Sequence, residues 1–132
     1  MSILRSIDAA FSTTSVTLTT TSETVIIASP QLQCPKDISF VNVLARVQLT
    51  LGTGTTAVTP RIRRGNTTAG QLVGSAVSEA VKTAAGSTEP FELNVQEERD
   101  FQDYVQYCFT LQQTAATANG TALSAHLLIM TF

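Results

Sequence analysis

Charge is scarce in this sequence: only 14% of its 132 residues are charged, against about 25% in an average soluble domain. The formal net charge is -2 at pH 7. Nucleic-acid binding requires clustered Lys and Arg side chains that neutralise phosphates, so the sequence predicts no nucleic-acid partner. Uncharged Thr, Ser, Gln and Asn must make the surface polar instead. Such a surface suits burial against partner subunits, because interface cores are depleted in charge.

Histidine and long apolar runs are equally scarce. His126 is the only histidine, whereas an imidazole metal site needs several ligands and a nucleophilic triad needs His beside Ser or Cys with an orienting carboxylate. We therefore predict no enzyme activity, no catalytic residue, no cofactor and no metal. No apolar run approaches the roughly 20 residues of a membrane span, and Met1 to Ser15 lacks the apolar stretch of a signal peptide. We expect a protein with no membrane partner, made and kept in a cytoplasm.

The remaining reactive side chains form few clusters. Cys34 and Cys108 belong to no C-x-x-C pattern, so we interpret them as two buried thiols, with a disulfide as the alternative. The carboxylates of segment 97–103 lack calcium-loop spacing, which favours a solvated acidic loop over a cation site. Alternation places Arg61 and Arg63 on one face of a strand. There we favour surface exposure or ion pairs to the acidic loop of a neighbouring subunit over an anionic ligand.

Period-two alternation of apolar and polar residues recurs in short runs separated by Gly, Pro, Asn and Ser clusters, which is typical of a β-sandwich or barrel. Pro60 indicates an edge or early strand position, and a change of parity near Phe40 indicates a bulge or bend. The runs predict about eight strands: Thr13 to Thr20, Glu23 to Ser29, Ile38 to Leu51, Ala57 to Gly65, Gln71 to Ser78, Pro90 to Val95, Tyr104 to Gln113 and Thr121 to Phe132.

These elements predict an all-β fold with one domain. About eight antiparallel strands in this length most economically form a jelly-roll sandwich over residues 13–132, preceded by a short N-terminal arm over residues 1–12. An immunoglobulin-like sandwich is the alternative. It usually contains a buried core tryptophan, which this chain lacks.

Two segments carry more apolar side chains than a single core can bury. The closing strand directs Leu123, Ala125, Leu127 and Ile129 to one face. Its other face, too apolar for water, carries His126, Leu128, Met130 and Phe132. The N-terminal residues Ile3, Leu4, Ile7 and Phe11 recur at helix-like spacing. We expect a second layer or a partner chain on the closing strand, and an amphipathic turn or arm that docks on a neighbour or packs on its own domain.

Four stretches of the sequence together resemble a known group of proteins. They are Ala45-Arg46-Val47-Gln48-Leu49-Thr50, Pro60-Arg61-Ile62-Arg63-Arg64-Gly65, Thr67-Thr68-Ala69-Gly70-Gln71-Leu72-Val73-Gly74 and Tyr107-Cys108-Phe109-Thr110-Leu111-Gln112. Over most of residues 13–132 the chain resembles the small jelly-roll proteins of tailed-phage virions, which include capsid decoration (cement) proteins and fibre knobs. The resemblance implies a trimeric jelly roll that clamps capsid subunits or binds a host surface.

The favoured function is capsid decoration. We expect a homo-oligomer, by resemblance a homotrimer, that is assembled in the host cytoplasm, binds the major capsid protein at the virion surface and stabilises the shell through many weak contacts. A fibre-tip or lectin-like receptor-binding module is the alternative, although sugar sites usually present aromatic rings and aromatics are only 6% here. The residues predicted to contact partners or other subunits are Ile3, Leu4, Ile7, Phe11, Arg61, Arg63, His126, Met130 and Phe132.

Overall fold

The computed structural model describes residues 4–98 and 104–132, and within these ranges it contains strands and no helix. Most strands alternate buried and exposed side chains, as half-buried pleated strands do. The strands are β1 (Ser6–Ser12), β2 (Val16–Leu18), β3 (Thr24–Ala28), β4 (Leu32–Gln33), β5 (Phe40–Thr50), β6 (Ala57–Arg64), β7 (Leu72–Val73), β8 (Glu79–Ala80), β9 (Thr88–Glu98), β10 (Tyr104–Val105), β11 (Tyr107–Thr114) and β12 (Gly120–Thr131).

Two antiparallel sheets form a sandwich. The first sheet has the order β1-β12-β5-β9, with β2 following β1 along the same edge of β12. The second has the order β3-β11-β6-β7, with β8 also paired to β6, and β4 pairs with β10. Late strands thus lie between early ones, as in a jelly roll. The predicted all-β antiparallel sandwich is confirmed.

The core lies between the two sheets. As alternation within Ile38 to Leu51 predicts, the odd-numbered side chains of β5 from Val41 to Leu49 all point inward, and they are buried. They belong to one apolar cluster with Tyr107, Phe109 and Leu111 of β11. Alternation within Tyr104 to Gln113 predicts that these three residues face inward, and each is fully buried.

The described residues form twelve strands and not the predicted eight, because β1, β4 and β8 lie outside the predicted strands and one predicted strand is interrupted. Gln106 separates β10 from β11. The strands β8 and β7 pair with β6 at Val58 and Ile62 respectively, on either side of Pro60. The ladder on that side skips Pro60, which has no N–H to donate. The predicted edge position is therefore wrong: β6 is an interior strand.

Residues 6–12 form edge strand β1, so the predicted helix-like turn is wrong. Along β1, Ile7 lies opposite Met130 and Phe11 lies opposite His126. The open edge of β12 supplies a backbone hydrogen-bonding partner, whereas a helix this short is unstable in water. The segment packs on its own domain, which was the alternative. Ile3 lies outside the described residues.

Further local predictions also differ from the structure. The strand β9 pairs with β5 along its whole length, so Glu97 and Glu98 lie in a strand and not in an acidic loop; the segment 99–103 lies outside the described residues. The register of β5 on β9 begins at Phe40 and shows no bulge there. A register shift occurs at Leu123 in β12, and Leu123 is exposed instead of facing the core with its predicted neighbours.

Candidate interaction face

The outer face of the first sheet, turned away from the core, carries a patch of apolar side chains. Cross-strand register arranges three rows across β1, β12, β5 and β9. In strand order, the rows are Ile7–Met130–Asn42–Gln96, Ala9–Leu128–Leu44–Asn94 and Phe11–His126–Arg46–Glu92. We call the residues Ile7, Ala9, Phe11, Leu44, His126, Leu128 and Met130 the apolar face.

The apolar face is open to solvent. Phe11 is 61% exposed and Ile7 is 55% exposed. The ring of Phe11 lies against the imidazole of His126, with 4.6 Å between ring centroids. A shallow cavity of about 270 Å³ lies beside Phe11 and is lined by Leu44 and Leu128. Exposed apolar groups in one continuous patch mark interaction sites more often than scattered ones do.

The apolar face continues toward one end of the sheet. Phe40 and Phe132 stack there, with 4.7 Å between their ring centroids and 15° between their planes. The N–H of Phe132 donates to the carbonyl of Phe40 at 3.0 Å, which fixes the two residues side by side. Leu4 is also exposed near this end, one residue before Arg5, whose N–H bonds Thr131.

The margin of the apolar face at β9 is polar. Arg46 Nε lies 2.9 Å from Glu92 Oε2, and both side chains are more than half exposed. A surface ion pair of this kind contributes about 0–1 kcal/mol. The pair neutralises the only two formal charges in the three rows. The face thus combines an uncharged centre with a polar edge.

The outer face of the second sheet is different because it carries a cluster of charged side chains, which bind one another. Glu23 accepts two hydrogen bonds from Arg63, at 2.6 and 2.8 Å, and one from the Thr110 hydroxyl at 2.8 Å. Arg61 lies 3.3 Å from the same carboxylate. Burial alone would raise the pKa of Glu23, but these hydrogen bonds and positive charges outweigh it and hold the pKa below its ordinary value. Arg61 and Arg63 are thus paired within the chain.

Glu97 has a structural role. The Tyr107 hydroxyl donates to Glu97 at 2.6 Å, and Arg64 donates to both oxygens of the same carboxylate, at 3.0 and 3.1 Å. Burial, followed by the Glu97 carboxylate, raises the pKa of Tyr107, so its hydroxyl remains protonated and donates at physiological pH. This network ties β9 of the first sheet to β6 and β11 of the second.

Other chemistry is sparse in the described residues. Cys34 and Cys108 are both buried, as predicted, and burial raises the pKa of the Cys108 thiol, which makes it a poor nucleophile. Within residues 4–98 and 104–132, no three His, Cys, Asp or Glu side chains form a group that would hold a metal ion. No helix in that part of the chain is long and apolar enough to cross a membrane.

The structure brings most of the predicted contact residues together. Ile7, Phe11, His126 and Met130 belong to the apolar face, and Phe132 lies on its continuation. Arg61 and Arg63 lie on the other sheet. Sequence reasoning omitted Leu44 and Leu128 from these contacts. Alternation already places Leu44 on the outward side of β5. An apolar residue at an outward position was the signal in the sequence that could have identified it as a contact residue.

No protein-family model matches this chain, and no curated protein matches it either. Solved structures are similar in fold. The structure of infectious bursal disease virus strain Gx superposes with a TM-score of 0.64 at 9% identity, over 95% of this chain and 32% of that one. The VP2 subviral particle of that virus gives 0.61 at 8%, over 95% and 32%, and its T13 particle gives 0.62 at 7%, over 93% and 31%.

The β-sandwich of this chain is similar in fold to part of these virus-particle proteins. The identities are too low to show more than the fold, and this chain spans about one third of the length of those proteins. The predicted resemblance is therefore supported at the level of a viral jelly roll, without pointing to tailed phages in particular.

Proposed function

We propose that this chain is a structural protein of a virus particle: a decoration (cement) protein that binds the outer capsid surface as a homo-oligomer and stabilises the shell. The apolar face carries the proposal, because continuous exposed apolar patches mark surfaces that bind another protein. The likeness to virus-particle folds and the low charge of the chain support it. Neither catalysis nor a cofactor enters the proposal.

The proposed partners are other copies of this chain, expected to form a homotrimer, and the major capsid protein. A symmetric oligomer repeats each weak contact with the shell, so avidity makes the whole stronger than any single contact. The paired charges of the second sheet suit a surface that stays in contact with water. The proposed location is the virion surface after assembly in the host cytoplasm.

The test compares complete virus particles with particles from which the gene for this chain has been deleted. We expect the deleted particles to release their genome at a lower temperature, measured by dye binding during a heat ramp, and the purified chain to restore the higher temperature. An unchanged release temperature, or absence of the chain from purified particles by mass spectrometry, would contradict the proposal. Deleted particles with normal heat stability but defective adsorption to host cells would instead indicate the receptor-binding alternative.

A further inference from the structure

The outer face of the first sheet, which contains the apolar face, is large enough to be a subunit interface. β5 and β9 contain 11 residues each, which gives a length of about 36 Å, and the four strands of the sheet order give a width of about 19 Å. The resulting area of about 700 Å² approaches the roughly 800 Å² that each partner contributes to a stable protein–protein interface. Small crystal-type or transient contacts need much less.

The residues of this sequence outside the described ranges are too few to cover this area. Residues 1–3 precede Leu4 and reach at most about 10 Å when fully extended. Residues 99–103 connect β9 to β10, which pairs with β4 outside the first sheet. Neither segment spans a face about 36 Å long. The cover must therefore come from another chain or from a segment outside this sequence.

The chemistry of the face favours a second copy of this chain. Permanent interfaces between identical subunits are more apolar than surfaces that spend part of their life in water. The centre of the face is uncharged, and its one ion pair, between Arg46 and Glu92, lies at the margin, as in interfaces with a dry core and a polar rim. A net charge of only -2 opposes self-association weakly.

We propose that copies of this chain meet through the apolar face, with the first sheet of each copy turned toward the shared symmetry axis. This inference rests on the homo-oligomer of the proposed function and adds which surface forms it. Phe11 and Ile7, the most exposed members of the face, are the anchors, and the one histidine of each chain comes close to its copies. The second sheet, with Glu23 and Arg63, faces outward.

The experiment measures solution mass by light scattering for the full chain and for three single substitutions. Phe11→Asp and Ile7→Asp place a charge in the proposed interface. Val77→Asp is the matched control, because Val77 is 54% exposed and lies between β7 and β8, two strands of the second sheet. We expect an oligomer for the wild type and for Val77→Asp, and monomers for the two face variants. Circular dichroism and thermal melting establish that all four remain folded.

Milder variants cover the case in which an added charge disturbs folding. Phe11→Ala and Ile7→Ala should each raise the concentration at which the oligomer dissociates by about tenfold or more, as truncation of an interface anchor does. An oligomer that withstands all four face substitutions would overturn this inference and leave the proposed homo-oligomer standing. A monomeric wild type would overturn both.

Discussion

Individual residues of this protein divide into those that hold the sandwich together and those that remain available at its surface. Glu23 belongs to the first kind. Its side chain is only 13% exposed and accepts bonds from Arg63 and Thr110. A carboxylate held in this way stabilises the folded state only while it is ionised.

Replacing Glu23 by Gln should lower the free energy of unfolding by about 2–3 kcal/mol at pH 7, because charged hydrogen bonds are lost. The folded-state pKa lies below the ordinary value of about 4.3. The stabilisation is therefore complete above that value and is lost as the pH falls through the lower folded value. Urea unfolding from pH 7 to pH 2 measures this, and the gap between wild type and variant should close in acid.

Glu92→Gln is the control for this prediction. Glu92 makes an exposed pair with Arg46, and such pairs contribute about 0–1 kcal/mol. Equal losses in the two variants would show that burial of Glu23 does not strengthen its interactions.

Gln113 offers a second prediction for a buried residue. Its Oε1 accepts the N–H of Gly52 at 2.8 Å, and its Nε2 donates to the carbonyl of Thr20 at 3.0 Å. Gln113→Leu leaves both backbone groups without a partner and should cost about 2–4 kcal/mol in urea unfolding. Gln112→Leu, on the half-buried outer side of the same strand, should cost less because water reaches its partners. A larger loss for Gln112 would contradict this account.

At the level of elements, β1 is the strand whose role changed most between sequence and structure. It pairs with β12 over seven positions, from Ser6 opposite Thr131 to Ser12 opposite Ala125. Deleting residues 1–12 exposes the edge of β12 and removes Ile7 and Phe11 from the apolar face. An uncovered, long apolar edge is also an aggregation site.

The chain without residues 1–12 should melt about 10 °C or more below the full chain. For a domain of this size, each kcal/mol lost from the free energy of unfolding lowers the melting temperature by roughly 4 °C. It should also lose the oligomer, because two anchors of the face are absent. Scanning calorimetry and light scattering measure the two effects. Unchanged melting would mean that β1 contributes no net stability, contrary to its pairing in the sheet.

For the whole molecule, the distribution of charge determines how assembly responds to salt. The three rows of the first sheet contain only the mutually paired charges of Arg46 and Glu92, so contact between copies depends on apolar burial. We expect the solution mass to remain the same from about 0.05 to 1 M NaCl, a range over which the screening length falls to about 3 Å. Dissociation on adding salt would indicate an interface held by ion pairs.

The sequence alone determined the all-β class, the inward residues of β5 and β11, the buried cysteines and the second apolar side of the closing strand. These follow from alternation with period two, which is a local property. Only the tertiary structure decided that β1 completes a sheet, that Leu44 lies beside Leu128, and that Arg61 and Arg63 bind Glu23. Cross-strand neighbours depend on strand order and register, which are set by contacts between segments far apart in the chain and leave no local pattern in the residues.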